Sequence, residues 1–179
     1  MKKLLIGIST VLLLIFIFLV YSGLFSKIAV KEIELGPFVM AYEEHTGSYS
    51  DVGKVFQRQR DSLEKEFKIK PARYAGIYLD DPQSVPKEKL RSEIGFIIDD
   101  KDIGRLDDLK TRFKVRKLDR IKYASVLFPH RNPASIFIGV VRVYPRLGQY
   151  VKDRKYKTDY GLEIYDSARR QVTFAFALR

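Results

Sequence analysis

The sequence begins with an uncharged run, residues 4–25, that follows Lys2 and Lys3 and is dominated by Leu, Ile, Phe and Val. As an α-helix, a run of this length extends about 33 Å, which is enough to cross the hydrocarbon core of a bilayer. A segment of this kind either stays in a membrane or is removed as a secretory signal. In both cases it stands apart from the domain that the remaining residues form.

The end of this run distinguishes the two alternatives. A cleaved signal has a shorter apolar segment and small residues at the cleavage site, whereas Tyr21 and Leu24 occupy this region. Tyr21 fits a membrane interface, where its ring lies at headgroup depth and its hydroxyl is hydrated. We therefore predict an uncleaved single-pass anchor over residues 1–25, with Leu4 to Phe25 in contact with the lipid bilayer. The balance of flanking basic residues favours the N-terminus inside and the following domain on the non-cytoplasmic side.

Charge is unevenly distributed along the chain, whose 33 Lys and Arg and 22 Asp and Glu give a net charge of +11. Residues 26–109 contain 14 basic and 17 acidic side chains, while residues 110–179 contain 17 basic and 5 acidic ones. No aromatic-interleaved recognition motif accompanies the basic half, so nucleic acid is not expected as a partner. The alternating basic run at residues 110–117 predicts either a solvated strand face or a surface for anionic lipid or an acidic protein.

The composition also limits the chemistry. The sequence has no cysteine, which excludes disulfides, thiolate nucleophiles and Cys-ligated zinc. His45 and His130 are its two histidines, and neither has a second ligand at a metal-binding spacing. Phosphate-binding glycine loops and nucleophile elbows are also absent from the sequence. We therefore predict no metal and no cofactor.

The hydrophobic pattern after residue 26 shows the same order of elements twice: two strands, a helix and two strands. In the first half we predict strands at 30–35, 38–45, 74–79 and 94–98, and a helix over 51–67 with Ser50 as its N-cap. In the second half we predict strands at 112–118, 121–128, 162–165 and 172–178, and a helix from Ala134 that Pro145 kinks or splits. These elements predict one α+β domain over 26–179, with two pseudo-symmetric modules, about 28–109 and 110–179, and a cleft between them.

Two of the predicted strands have an aromatic face and an aliphatic face. Phe38 and Tyr42 share one face of the second strand, and Tyr74 and Tyr78 share one face of the third, because side chains alternate between the faces of a strand. We expect the aliphatic faces to pack against a helix. The four aromatic side chains would then line a small-molecule pocket between the modules. Filling of the hydrophobic core is the alternative role for each of them.

A series of short motifs resembles the GyrI-like small-molecule-binding domain family over residues 30–178. These motifs are Gly47-Ser48-Tyr49, Tyr78-Leu79-Asp80-Asp81-Pro82, Val85-Pro86, Lys89-Leu90-Arg91-Ser92, Gly95 and Leu162-Glu163-Ile164-Tyr165. The apolar N-terminal segment, Arg142-Val143-Tyr144-Pro145 and residues 150–155 are similar to a membrane-anchored branch of this family, which includes a testis-expressed receptor for autophagy of the endoplasmic reticulum. That receptor recruits its partner through a long acidic tail, and the present sequence ends at Arg179, so the resemblance implies no autophagy role.

The resemblance implies a duplicated module with a cleft and a buried Glu that receives lipophilic, often cationic ligands among aromatic side chains. Glu163 is the candidate, because it is the only Glu after Glu93 and Tyr165 lies on its side of the strand. A carboxylate among aromatic rings suits a cation, whereas a surface Glu paired with Lys or Arg is the alternative. Binding without catalysis is our leading hypothesis.

Hydrolysis is the alternative function, because some relatives hydrolyse strained electrophiles. Glu163 would then act as a general base on water. Those relatives also use a Trp in the pocket, and this sequence has no Trp.

Overall fold

The computed structural model describes residues 2–179, and its secondary structure follows the predicted order. The helices are α1 Lys2–Tyr21, α2 Val52–Ser62, α3 Leu106–Lys110 and α4 Pro133–Asp153. The strands are β1 Lys31–Leu35, β2 Phe38–Thr46, β3 Arg73–Tyr78, β4 Arg91–Ile97, β5 Lys114–Leu118, β6 Ile121–Pro129, β7 Thr158–Asp166 and β8 Gln171–Leu178. A π-helical turn, Leu63–Phe67, continues α2, and 3-10 turns form at Tyr49–Asp51, Lys87–Lys89 and Asp100–Arg105. The turn at Asp100–Arg105 and the short α3 were not predicted.

The eight strands form one antiparallel sheet in the order β1-β6-β8-β7-β3-β4-β2-β5. Each half of the chain therefore gives its first strand to the other half, since β1 pairs with β6 and β5 pairs with β2. Two residues separate β1 from β2, and two separate β5 from β6, although the members of each pair lie towards opposite edges. The sheet must curl to allow this, and the two connections meet where Arg120 Nε donates to the Gly36 carbonyl at 3.1 Å.

The curl creates an inner face that is filled by strand residues alone. Its buried cluster consists of Met40, Ala75, Ile77, Ile97, Leu118, Tyr123, Leu162, Ile164, Ala175 and Ala177, with Leu35, Phe38, Tyr42, Leu79, Ile121 and Tyr160 against it. The opposite face carries the helices. There α2 and its π-helical turn pack on β2, β3 and β4, while α4 packs on β6 and β8. The architecture is an α+β half-barrel with two helices on one face of the sheet.

Both long helices of the domain begin or continue differently from the sequence-based prediction. Ser48, not Ser50, caps the first helical segment, since its hydroxyl accepts from the Ser50 N–H at 3.3 Å. Helix α4 runs without interruption through Pro145, so the predicted split is wrong. Pro145 lies on the exposed side of α4, while Val143 and Leu147 on either side of it are fully buried against the sheet. This packing holds the helix together despite the cost of an internal proline.

The basic run of the second half lies beside acidic residues of the first half, because β5 pairs with β2. Lys114 Nζ lies 2.7 Å from Glu44, Arg116 lies 2.6 Å from Glu93, and Arg112 lies 3.4 Å from Glu43. The basic run is therefore a partly solvated strand face, in line with the first of the two predictions, and three of its side chains also pair with acidic residues of the first half. Three ion pairs thus join the two halves at this edge of the sheet, although the second half keeps an excess of basic side chains.

The sheet leaves no room for a side chain at Gly95. A Cβ atom built there collides with the Ala41 carbonyl oxygen on β2. We expect Gly95→Ala to lower the free energy of unfolding by about 1–3 kcal/mol or more, because the strands must separate to admit the methyl group. Thermal unfolding of the full chain in detergent, followed by circular dichroism, measures this loss.

Gly53→Ala is the matched control, since nothing lies within 4 Å of a Cβ at that position of α2. It should leave stability unchanged or raise it by about 0.5–1 kcal/mol, because alanine is the better helix former. Equal melting temperatures for the two variants would contradict the tight β2–β4 packing.

Candidate functional site

Glu163 lies near the middle of β7, in the centre of the sheet. It pairs with Gly76 of β3 and with Phe174 of β8, and only 3% of its surface is exposed. Leu162 and Ile164 belong to the inner face, so Glu163 points towards the helices. Gly76, the β3 neighbour of Glu163, has no side chain, and the ring of Tyr78 occupies the space above it. A Cβ atom at residue 76 would lie 3.1 Å from that ring.

Three tyrosine hydroxyls donate to the Glu163 carboxylate. Tyr144 of α4 donates to Oε1 at 2.6 Å, while Tyr78 of β3 donates to Oε2 at 3.1 Å. Tyr165, two residues along β7, also donates to Oε2. Within residues 2–179 no Lys or Arg forms an ion pair with Glu163. The alternative of a surface Glu paired with a basic residue is therefore wrong, and the carboxylate is held by neutral donors alone.

The electrostatics follow from burial. Loss of hydration raises the pKa of Glu163, and the hydrogen bonds from Tyr144, Tyr165 and Tyr78 oppose this change without cancelling it. Burial, together with the carboxylate, raises the pKa of all three tyrosines well above the ordinary value. The hydroxyls therefore remain protonated donors at neutral pH. A buried carboxylate without a cationic partner is a favourable place for a cation that enters from outside.

Aromatic rings surround this carboxylate. Tyr49 packs edge-on to Tyr78 at 4.8 Å between ring centroids, and Phe56 of α2 packs edge-on to Tyr165 at 5.3 Å. Further contacts join Phe56 to Tyr74, Tyr144 to Phe174 and Tyr144 to Phe176, and His130 to Tyr165. Burial lowers the pKa of His130, so its ring is neutral at pH 7 and adds no positive charge. Aromatic rings and a carboxylate are both groups that attract positive charge.

The structure brings together only some of the residues predicted from sequence. Glu163, Tyr165 and Tyr78 are joined by hydrogen bonds, and Tyr74 adjoins them through Phe56. Phe38 and Tyr42 lie on the inner face, so one sheet layer separates them from Glu163. The expectation that aliphatic faces meet the helices holds for β2, where Ala41 packs with α2 residues.

For β3 that expectation is wrong, because Ala75 and Ile77 fill the inner face while Tyr74 and Tyr78 face the helices. The alternation of side-chain types along a strand shows that it has two different faces. It does not show which face packs against the helices. Tyr144 was missed as a site residue. Its place at helical spacing in an apolar segment resembled a core position, and only its motif Arg142-Val143-Tyr144-Pro145 distinguished it.

We expect the pH dependence of the free energy of unfolding to reveal the burial of Glu163. A carboxyl group whose pKa is raised by folding contributes stability that is complete below its unfolded pKa, near 4.5, and is lost as pH rises through the folded pKa. The free energy of unfolding of wild type minus that of Glu163→Gln should therefore fall as pH rises above 4.5. Chemical unfolding of both proteins across pH 3 to 8 measures this difference.

Glu32 supplies a control of opposite sign. It also accepts from two tyrosines, Tyr150 at 3.0 Å and Tyr156 at 2.9 Å, but at the surface, where these bonds lower its pKa. For Glu32→Gln the wild-type advantage should be present above pH 4.5 and diminish as pH falls below it. A flat difference for Glu163→Gln would mean that its carboxyl is not desolvated.

A second prediction concerns the helix-borne donor. Tyr144→Phe removes the only hydroxyl that reaches Glu163 from α4, and we expect it to destabilise the protein by about 1–3 kcal/mol, because a buried oxygen loses its donor. Tyr150→Phe on the same helix removes a hydroxyl from the surface residue Glu32 and should cost under about 0.5 kcal/mol. Urea unfolding of the two variants gives the comparison, and equal losses would argue against a special role for Tyr144.

The sequence matches known proteins over most of its length. Residues 29–175 match the family described as GyrI-like small molecule binding domain. Testis-expressed protein 264 homolog of Mus musculus is 33% identical over 153 residues, which cover 81% of this chain and 48% of the relative. Testis-expressed protein 264 of Homo sapiens is 31% identical over 171 residues, which cover 90% of this chain and 53% of the relative. The chain thus spans about half the length of these relatives.

Solved structures share the fold. The EcmrR C-terminal domain superposes with a TM-score of 0.57 at 15% identity, covering 85% of this chain and 98% of that domain. SAV2435 bound to tetraphenylphosphonium gives a TM-score of 0.57 at 12% identity, covering 84% of this chain and 94% of that one. At these identities the likeness establishes the half-barrel fold. The sequence match across residues 29–175 shows that the chain belongs to the GyrI-like small-molecule-binding domain family.

Proposed function

We propose that this protein is a membrane-anchored receptor domain that binds a lipophilic, cationic small molecule at Glu163. The observation that carries this proposal is the buried carboxylate itself, which is 3% exposed, has three tyrosine donors and has no ion pair within residues 2–179. Burial of the ionised Glu163 carboxylate costs free energy of folding, because the charge loses its hydration. A ligand that supplies positive charge recovers that free energy.

The surroundings define the class of ligand. The rings of Phe56, Tyr165, Tyr144 and Phe174 supply apolar area and electron-rich faces, which a delocalised or shielded cation contacts more favourably than a strongly hydrated one. SAV2435, whose fold this chain shares, is bound to tetraphenylphosphonium in its solved structure. Tetraphenylphosphonium is therefore a suitable probe compound for this site.

Tyr144 is the donor that a ligand displaces most readily. Tyr78 and Tyr165 belong to the paired strands β3 and β7, whereas Tyr144 reaches the carboxylate from α4 above the sheet. Movement of this one side chain frees Oε1 and opens the space between the sheet and the helix. Binding then exchanges a neutral donor for a cation at that oxygen.

The surroundings of Glu163 favour binding over the hydrolase alternative. A general base takes a proton from a water molecule, whereas the donors on both oxygens of Glu163 are tyrosine hydroxyls. Hydrolysis with Glu163 as base stays a prediction. It requires turnover of a strained or ester substrate that Glu163→Gln abolishes.

The anchor is the second part of the proposal. Helix α1 is long and apolar enough to cross a membrane, and none of its residues is buried against the domain. Twenty residues with side chains such as Leu12 and Phe16 exposed by 61% and 51% are costly in water and favourable in lipid. We therefore place the ligand-binding domain at a membrane surface.

Thermal shift tests the ligand site. Tetraphenylphosphonium should raise the melting temperature of the full chain in detergent by about 5–10 °C at a hundredfold excess over Kd, because it stabilises only the folded state. Glu163→Gln should lose most of this shift, since the amide offers the cation no counter-charge.

Two controls accompany this measurement. Glu32→Gln removes a surface carboxylate that also has two tyrosine partners and should retain the full shift. Tetraphenylmethane, the neutral analogue of the probe, should produce none. An equal shift in Glu163→Gln would refute the assignment of Glu163 as the cation-binding group.

A further inference from the structure

The end of helix α1 is fastened to the globular domain. Ser22 is fully buried, and its hydroxyl accepts from Asn132 Nδ2 at 2.9 Å. Arg131 donates to the Tyr21 carbonyl at 2.6 Å, and Arg142 donates to the Gly23 carbonyl at 2.9 Å. Arg131 thus satisfies the last carbonyl of the helix, and Arg142 bonds the turn that follows it. If α1 crosses a membrane, the position of its C-terminal end therefore also fixes how deep the neighbouring side chains of the domain lie.

A cleft opens beside this junction. It is lined by Leu127, Phe128, Pro129, Arg131, Arg169, Arg170 and Gln171, which come from the end of β6 and the turn between β7 and β8. Arg131 lies over the Tyr21 ring, 5.1 Å from its centroid, and Arg170 Nη2 lies 3.3 Å from the Tyr21 hydroxyl. Three guanidinium groups therefore surround one concave surface at the end of the helix.

The positive charge of this cleft is mostly uncompensated. Arg169 pairs with Asp166 at 3.0 Å, but among residues 2–179 no carboxylate lies within 4.0 Å of Arg131 or Arg170. The basic run at residues 110–117 differs in this respect, since Arg112, Lys114 and Arg116 all have acidic partners. The cleft is therefore a better anion site than the basic run that the sequence emphasised.

The length of α1 places the cleft at a defined depth. A helix of 20 residues is about 30 Å long, close to the thickness of the hydrocarbon core. With its N-terminal end at one boundary, Tyr21 lies at the other, among the headgroups. Leu127, 57% exposed on the cleft, and Phe25, 67% exposed beside the helix, then face the upper acyl chains.

We propose that this arginine cleft binds the phosphate of a phospholipid headgroup and thereby holds the domain against the membrane. The inference rests on the proposed anchoring by α1. Guanidinium groups bind phosphate oxygens through paired hydrogen bonds, and each basic side chain near an anionic surface strengthens membrane association. The site is separate from Glu163, so the position of the domain on the membrane does not depend on its ligand.

Fluorescence tests the proposal, because the chain has no Trp and a single introduced Trp reports one position. The full chain is reconstituted into vesicles of digalactosyldiacylglycerol, a bilayer lipid without phosphate. A small, equal fraction of brominated phosphatidylglycerol or of brominated galactolipid is then added. Bromine quenches Trp at short range. For Leu127→Trp we expect at least about twofold stronger quenching by the phospholipid, since one favourable charge contact enriches it severalfold near the cleft.

Charge variants in the Leu127→Trp protein identify the site. Arg169→Gln with Arg170→Gln should abolish the preference for phospholipid, while the bonds of Arg131, Arg142 and Asn132 to the end of α1 remain. Lys87→Gln with Lys89→Gln is the control. It removes the same charge from the turn between β3 and β4, away from the cleft, and should leave the preference unchanged. A preference that survives the arginine variant, or equal quenching by the two lipids in Leu127→Trp, would overturn the proposal.

Two further reporters separate this proposal from the anchoring. Phe16→Trp should be quenched by both lipids if α1 is inserted, and an unquenched Trp there refutes the anchor itself. Gln83→Trp, in the exposed loop before β4, should be quenched by neither. If millimolar inorganic phosphate removes the preference of Leu127→Trp, the cleft takes soluble anions and the headgroup assignment is wrong, since lipid phosphate at a membrane surface is far more concentrated.

Discussion

The exchange of the first strand between the two halves is the constraint on which the remaining structure depends. Strand β1 completes the sheet of the second half and β5 completes that of the first, while two-residue connections link each to its own half. Neither half has a full set of strands without the other, and the sheet must curl for both connections to form. The curl produces the inner core, and it brings the basic β5 against the acidic side chains of β2 and β4. The opposite net charges of the halves are thus part of their association.

The candidate site lies at the seam that this exchange creates. Strands β3 and β7 are the central pair, so Glu163 of the second half lies among Tyr78 of the first half and Tyr144 and Tyr165 of its own. Helix α2 covers one half of the sheet and α4 the other, and the aromatic side chains fill the space between them above the seam. A carboxylate at this position is far from solvent and from every acidic or basic side chain that holds the surface together. Its neutral hydrogen-bonding shell makes it sensitive to a cation that enters from outside.

The helix end and the carboxylate site occupy different parts of the second half, but they share an element. Asn132 is the N-cap of helix α4 and bonds Ser22 directly after α1, and the same helix carries Tyr144 to Glu163 about three turns later. His130 packs against Tyr165 and donates its backbone N–H to the Arg170 carbonyl. The proposed membrane contact and the proposed ligand site are therefore joined through the same rigid helix and turn, although each depends on its own charged groups.

The sequence by itself determined the elements and the chemistry available: the apolar helix, the repeated order of strands and helices, the basic second half and the isolated Glu163. These follow from local periodicity and composition, which a linear pattern records directly. Only the tertiary structure decided which face of each strand meets the helices, so that Tyr74 and Tyr78 join Glu163 while Phe38 and Tyr42 do not. It also paired Lys114 and Arg116 of β5 with acidic side chains, whereas Arg131 and Arg170 have no ion pair among the described residues 2–179. Alternation gives a strand two faces, but the partner of each face, like the partner of each charge, depends on contacts between segments far apart in the chain.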